Sequence, residues 1–357
     1  MDFQPLEYLD WAKNKDKPGI NLTRSGLPGR SLAELGVDWE ELALEGYHGH
    51  GYPPLIEAVA ARYGARVEEV VTAPGTSMAL FMVCAALLEK GDEALVEKPA
   101  YGPLSAVPRA LGAGVRRFER RFEDGYRLDA DEVLGMVTPR TRLIMLTDLH
   151  NPSGVRAGGE ALRSLAEGAA ERGVWLIVDE VYLEFLPSRG GLTAFGLAPN
   201  VVSLSSLTKV YGLGGLRRGW ILAPGGLSRR LLQMRNYLFN EEVYLEEQIS
   251  ARLFDRLDEL RGRAAPLIGE NRDRMRRFMA GEERLSWVEP DGGVVCFPRL
   301  RCGDGRRLEA ILRERHDTGV VPGDFFGDPA HVRIGFGVAG DVLERGLKNI
   351  GEALSYL

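Results

Sequence analysis

One lysine stands in the stretch SLSSLTKVYGLGGLRRGW, Ser203 to Trp220, among hydroxyls, glycines and apolar residues, with two arginines near its end. Lys209 follows the strand-like run VVSLSS after only two residues, which places its amine at the carboxyl edge of a sheet. A lysine held among apolar and cationic neighbours has a lowered pKa, and a neutral amine forms a Schiff base with an aldehyde. Taken alone, a loop lysine reads as a solvated charge. Its neighbours add a second chemistry: Ser206, Thr208, Gly212, Gly214 and Gly215 permit close backbone approach, and Arg217 and Arg218 lie within reach of an anion. A phosphate fits such a segment. TAPGTSMAL offers another anion site, because Gly75 ends a loop and the following helix presents the amides of Thr76 and Ser77 at its positive end. An ordinary helix cap has the same pattern.

Further candidates sit at similar junctions. Asp179 closes the apolar run VWLIVD, where a carboxylate is costly unless it meets a cation, such as a protonated ring nitrogen; it also reads as a turn cap. Tyr182 comes three residues later. Asn151, in LHNPSG, suits a phenolate-like oxygen or a plain Asn-Pro turn. Tyr101, in EKPAYGPL, suits stacking on a planar ligand or packing in a core. Arg333, in HVRIGF, has the fork that grips a carboxylate, unless its side chain meets solvent.

Positioning these residues requires a large scaffold, and the chain has 357 residues, 45% hydrophobic and 27% charged, enough for more than one domain. The formal net charge of −6 is spread over both halves, and local basic clusters such as RRFERRF read as solvated faces, so no nucleic-acid partner is expected. Cys84, Cys296 and Cys302 show no paired or metal-binding spacing, and no metal is expected. The start lacks an uninterrupted apolar h-region and no segment has the apolar length of a membrane span, so a soluble, cytoplasmic protein is expected.

Residues 1–43 read as an amphipathic arm followed by the extended INLTRSGLPG, joining a small domain. Residues 44–240 alternate helices (PPLIEAVAARYG, TSMALFMVCAALLEKG, GGEALRSLAEGAAERG) with strands (EALVEK, GVRRFER, RLIMLTD, VWLIVDE, VVSLSS, GWILA). That is an α/β layout, a mostly parallel sheet sandwiched by helices. Residues 241–357 read as a small α+β domain with a connecting long helix. The stretch from Leu227 to Met279 is expected to form one or two long helices, with a bend near Pro266.

The ordered series PGTSMAL, EKPAYGP, LHNPSG, VDEVY, SSLTKVYGLGGLRRGW and HVRIGF resembles the pyridoxal-phosphate-dependent aminotransferases of class I/II, fold type I, from about Asn21 to Gly337. The resemblance implies that Lys209 forms the internal aldimine with pyridoxal 5'-phosphate and later moves the proton. It implies that Asp179 pairs with the pyridinium nitrogen, that Asn151 and Tyr182 hold the phenolate oxygen, and that Tyr101 stacks on the ring. Ser206, Arg217, Thr76 and Ser77, with Gly75 before them, would bind the phosphate. Arg333 would take the substrate's α-carboxylate, beside Asn151, and Gly26 in TRSGLP would close over the substrate. Tyr47 in EGYHGHGYPPL matches the tyrosine that reaches the phosphate of the neighbouring subunit, implying a homodimer with shared active sites. Only three residues separate it from Gly51, one fewer than the pattern has, so a loop role stands beside this one.

The implied reaction moves an amino group between an amino acid and a 2-oxo acid in ping-pong fashion. The same fold and residues serve carbon-sulfur β-lyases, amino-acid cyclases and cyclopropane-forming synthases. A pyridoxal-phosphate-sensing regulator shares the fold but needs a DNA-binding domain ahead of it, and only about twenty residues precede INLTRSG, too few for one. Arg24 suits a side-chain carboxylate or simply an exposed arm, and His48 and His50 suit the site's mouth or a turn.

Overall fold

A computed structural model describes residues 3–14, 16–46, 49–186 and 193–357. Strand β1 (Ile20–Asn21) belongs to the arm, and β2 (Val70–Ala73), β3 (Glu93–Lys98), β4 (Gly114–Glu119), β5 (Thr141–Thr147), β6 (Trp175–Asp179), β7 (Val201–Ser206) and β8 (Gly219–Leu222) form the main sheet. Its order is β2-β8-β7-β6-β5-β3-β4, with β8 antiparallel to both neighbours and the other pairings parallel. The expected mostly parallel sheet is therefore present, with β2, absent from the sequence reading, added at one edge.

Alternation along each strand feeds two cores. Ile177, Val202, Leu204 and Met145 face the helix Gly75–Leu87, whose residues Ala79, Leu80, Met82, Val83 and Cys84 are all buried. Leu176, Val178, Ile144 and Leu146 face the other way, onto Leu162, Leu165, Ala166 and Ala169 of the amphipathic helix Gly159–Glu171. Helices therefore cover both faces, and the parallel strands all send their carboxyl ends to one edge.

The stretch 227–279 departs from expectation. It contains three helices, Gly225–Leu238, Tyr244–Phe254 and Leu257–Gly281, and Pro266 lies inside the third without ending it. The breaks fall around Asn240, whose φ is +53°, and at Asp255–Arg256. The changeover between cores is also later than residue 240. Ile249, Leu253, Leu257 and Leu260 join Leu55 and Val59 in one cluster, whereas Ala264, Met275 and Met279 join the tail residues Leu312, Ile334 and Ile350. One helix thus runs from the first body into the second.

The arm is stitched to the tail. β1 pairs with Thr318–Gly319 in parallel, Leu22 N–H donates to Gly319 O at 2.9 Å, and Gly335 N–H donates to Leu22 O at 2.7 Å. Helix α1 (Glu7–Asn14) places Tyr8 and Trp11 on one face against Phe325. Among the described residues no helix is long and apolar enough to cross a membrane.

Candidate active site

The carboxyl edge of the sheet opens into a chamber of about 190 Å³, lined among others by Thr76, Ser77, Tyr101, Asn151, Asp179, Tyr182, Ser206, Lys209, Arg217 and Arg333. Nine of the sequence-derived candidates, drawn from positions as distant as Thr76 and Arg333, meet there with Lys209. Gly75 adjoins the chamber: its φ is +81°, and a Cβ on it would stand 2.5 Å from Nη2 of Arg217. Tyr47 and His48 lie outside the described residues.

Lys209 follows β7 three residues after Ser206, and its Nζ donates to Ser25 Oγ at 3.0 Å. Burial pushes its pKa down to about 8, helped by the Arg333 guanidinium, opposed by Asp179, and lowered further by Arg217 and Arg24. Asp179 ends β6 and is buried; its Oδ1 accepts from Val181 N–H at 3.1 Å. Burial pushes it up to about 7, against the pull of that N–H and of Lys209. A buried carboxylate with so little compensation suits a cationic ring nitrogen.

Asn151 is buried at the centre of the site. Its backbone N–H donates to Thr147 Oγ1 at 2.8 Å, its Nδ2 reaches Tyr182 Oη at 3.4 Å, and its Oδ1 accepts from Arg333 Nη1 at 3.0 Å. Thr147 is itself fastened to Glu97, donating from N at 2.7 Å and from Oγ1 at 2.6 Å. Glu97 pairs with Arg120 at 3.1 Å, and both side chains are fully buried. Burial pushes Tyr182 up to about 12, which keeps its hydroxyl a donor, and burial likewise raises Tyr101.

At the anion end, Thr76 Oγ1 is buried with no hydrogen-bond partner among the described residues, while Ser206 and Arg217 face the same space. Helix Gly75–Leu87 begins here, so its unpaired first amides point at the site. Arg217 sits at φ +48° and donates from Nη1 to Gly214 O at 3.2 Å. Arg218, read in the sequence as within reach of an anion, does not line this chamber; it is buried and paired with Glu242 at 2.8 Å and Glu246 at 3.4 Å.

Gly26 lies against the lysine: a Cβ there would stand 2.9 Å from both Cα and O of Lys209. Leu27 N–H donates to Lys209 O at 2.9 Å, which locks this strap onto the lysine loop. Beyond it a wider cleft of about 800 Å³ carries Arg24 and Gly26 as well as Lys209. Two residues of the site, Tyr8 and Ser25, were missed in the sequence. Ser25 adjoins Gly26 in TRSGLP and was within reach of the motif; Tyr8 has no local signal beyond an aromatic pair on a short helix.

A buried hydroxyl at a helix start and a buried carboxylate, neither with an ion-pair partner among the described residues, together with a lysine pushed down to about 8, suit a ligand with a phosphate at one end, a basic ring nitrogen and an aldehyde. Such a site on a mostly parallel sheet defines a pyridoxal-phosphate-dependent enzyme of fold type I. The model of the family "Aminotransferase class I and II" matches residues 43–350, and the chain belongs to that family. It is 32% identical to capreomycidine synthase from Streptomyces vinaceus, over 98% of this chain and 93% of the relative. It is 31% identical to an arginine–pyruvate transaminase from Pseudomonas aeruginosa, over 84% of this chain and 80% of the relative. The crystal structure of a pyridoxal-phosphate-dependent cyclase, OrfR, superposes with a TM-score of 0.89 at 30% identity, covering 100% of this chain and 98% of that one.

Proposed function

We propose that the protein moves an amino group from an amino acid to a 2-oxo acid in two half-reactions, with pyridoxal 5'-phosphate held in the 190 Å³ chamber. The observation that carries this reading is the convergence of Lys209, Asp179 and the buried fork of Arg333 on that one chamber at the carboxyl edge of the sheet. When bound, the cofactor supplies an aldehyde for that amine and a protonated ring that takes up the charge left by loss of the Cα proton.

The positions of the chain's residues support the following roles. Thr76, Ser77, Ser206 and Arg217 hold the phosphate, and Gly75 gives Arg217 room to approach. Asp179 holds the ring nitrogen protonated, Asn151 and Tyr182 hold the ring oxygen, and Tyr101 covers a face of the ring. Arg333 receives the substrate's α-carboxylate, so that the Cα–H bond is presented to Lys209. Lys209 Nζ, largely protonated at neutral pH but with a ready neutral fraction, takes the Cα proton and later returns it. Gly26 lets the strap lie close enough to exclude water from that transfer.

A homodimer with shared active sites completes the proposal. Its support is a set of large apolar side chains left exposed in the single chain, Leu44 (82% exposed), Tyr237 (90% exposed), Trp39 and Val243. Light scattering on the purified protein tests it, and a monomer at micromolar concentration refutes it. A cytoplasmic location agrees with the free thiols of Cys84, Cys296 and Cys302.

A second reading, ring closure on the amino acid, is favoured by one observation: both a synthase and a cyclase align with essentially this whole chain at 30% identity or more. The deciding experiment records the visible spectrum of the pure protein and titrates it with a panel of amino acids that includes L-arginine. Conversion to the pyridoxamine form with release of a 2-oxo acid supports amino transfer. A cyclised product with the resting spectrum restored supports the second reading, and release of ammonia and pyruvate supports a β-lyase. A colourless protein that takes up no pyridoxal phosphate sinks all three.

A further inference from the structure

We infer that Tyr8 is part of the receptor for the substrate's α-carboxylate, in a composite grip where Arg333 meets one oxygen and the Tyr8 hydroxyl donates to the other. The inference rests on the assignment of Arg333 proposed above and changes how that arginine works.

A guanidinium has five N–H donors, and an end-on grip on a carboxylate needs a free hydrogen on each terminal nitrogen. Arg333 does not have that pair free. Its Nη1 donates to Asn151 Oδ1 at 3.0 Å, and its Nη2 donates both to Tyr8 Oη at 2.7 Å and to Thr23 O at 3.0 Å. Both hydrogens of Nη2 are thus taken. One hydrogen on Nη1 remains, as does the buried Nε, which has no partner among the described residues. A carboxylate arriving at Nη1 therefore has a second oxygen with no guanidinium hydrogen opposite it.

The Tyr8 hydroxyl, bonded to the adjacent Nη2 at 2.7 Å, is the donor assigned to that oxygen. It accepts from Arg333, which leaves its own proton to give, and among the described residues it donates to no acceptor. Accepting from a cation strengthens a hydroxyl as a donor. Tyr8 also lines both the chamber holding Asp179 and Lys209 and the wider cleft beyond, so it stands where substrate must pass. The ring is held on several sides: Tyr101 meets it edge-on at 6.2 Å, Phe325 and Phe326 at 5.8 Å each, and the Arg333 guanidinium lies 5.4 Å from its centroid. The Thr23 carbonyl fixes the remaining Nη2 hydrogen, so the fork does not turn to release Tyr8. Helix α1 is by this account a substrate-binding element.

The test uses the cofactor-loaded protein and Tyr8→Phe, which keeps the aromatic packing and removes only the hydroxyl. Propionate, a carboxylate that has no amino group and does not react, is titrated against the visible spectrum to give a dissociation constant. L-arginine is compared with agmatine, and L-alanine with ethylamine, pairs that differ only in the α-carboxylate. Tyr8→Phe is expected to weaken propionate about tenfold, the effect of one hydrogen bond to a charged group. It should raise KM for the amino acids by a similar factor, leave kcat nearly unchanged, and leave the two amines and the resting spectrum as they are. Arg333→Lys provides the reference. If it weakens propionate and Tyr8→Phe does not, or if Tyr8→Phe weakens amines and amino acids alike, the inference about Tyr8 is overturned. If Arg333→Lys leaves propionate binding unchanged, the assignment of Arg333 itself fails.

Discussion

The rate at which cofactor-free protein captures pyridoxal phosphate should report the charge state of Lys209. Only the neutral amine attacks an aldehyde, so the rate follows the neutral fraction. With the pKa pushed from 10.5 down to about 8, about one lysine in eleven is neutral at pH 7, against roughly one in 3,000 for an unperturbed lysine. Capture at neutral pH is thereby favoured about 300-fold. Stopped-flow mixing across pH 6 to 10 should show a rate that rises about tenfold per unit and levels off near pH 8 to 9. Two substitutions then separate the causes. Arg333→Gln removes the largest charge that disfavours the ammonium and should move the plateau to higher pH. Asp179→Asn removes the carboxylate that favours it and should move the plateau lower. A rate still climbing tenfold per unit at pH 10, or both substitutions shifting the plateau in the same direction, refutes the electrostatic account.

Stability of the cofactor-free protein should pass through a minimum near pH 7 to 8. Asp179 holds its proton to about 7 when folded against 3.8 ordinarily, so between those values the folded state binds more protons and stability falls as pH rises. Lys209, folded at about 8 against 10.5, does the reverse between about 8 and 10.5, and stability recovers; urea midpoints measured against pH check both limbs. Gly75→Ala places a Cβ 2.5 Å from Arg217 Nη2 at φ +81°, and should cost about 1–3 kcal/mol in stability while weakening cofactor retention in equilibrium dialysis. Glu97→Ala leaves Arg120 buried and unpaired and removes the anchor of Thr147, so it should lower stability by about 3–5 kcal/mol and lose activity beyond that through a loosened Asn151, as thermal melts and kcat would show.

Much of the scaffold was legible because its signals are periodic. The helices Pro53–Tyr63, Gly75–Leu87 and Gly159–Glu171 and the strands β3 to β8 follow from apolar spacing, with Pro or Gly at their ends. β2 escaped because VVTA is four residues long and gains its identity from pairing with β8. The region after Leu227 was misjudged because Pro266 is a strong local breaker, yet the helix around it carries buried residues from Leu257 to Met279, and packing at both ends outweighs one lost hydrogen bond. Of the two real breaks, the one at Asn240 has a left-handed backbone that no run of apolar residues announces.

By itself the sequence determined the α/β class, the order of the junction motifs and the residue types that meet in the site, because strand periodicity sends each strand-end loop to one edge whatever the detailed packing. Tertiary structure alone decided the rest. The lowered pKa of Lys209 exists only where burial and the distant Arg333 act together, and the raised one of Asp179 only in a buried strand end. The two arginines of LRRG are indistinguishable as letters, yet one faces the anion site and the other is buried among Glu242, Glu246 and Glu247. Tyr8 joined the site because α1 packs on Phe325 and Phe326 and brings a hydroxyl to Arg333, 325 residues away in the chain. Side-chain chemistry is written locally, whereas charge state and hydrogen-bond partners depend on what the fold brings into contact.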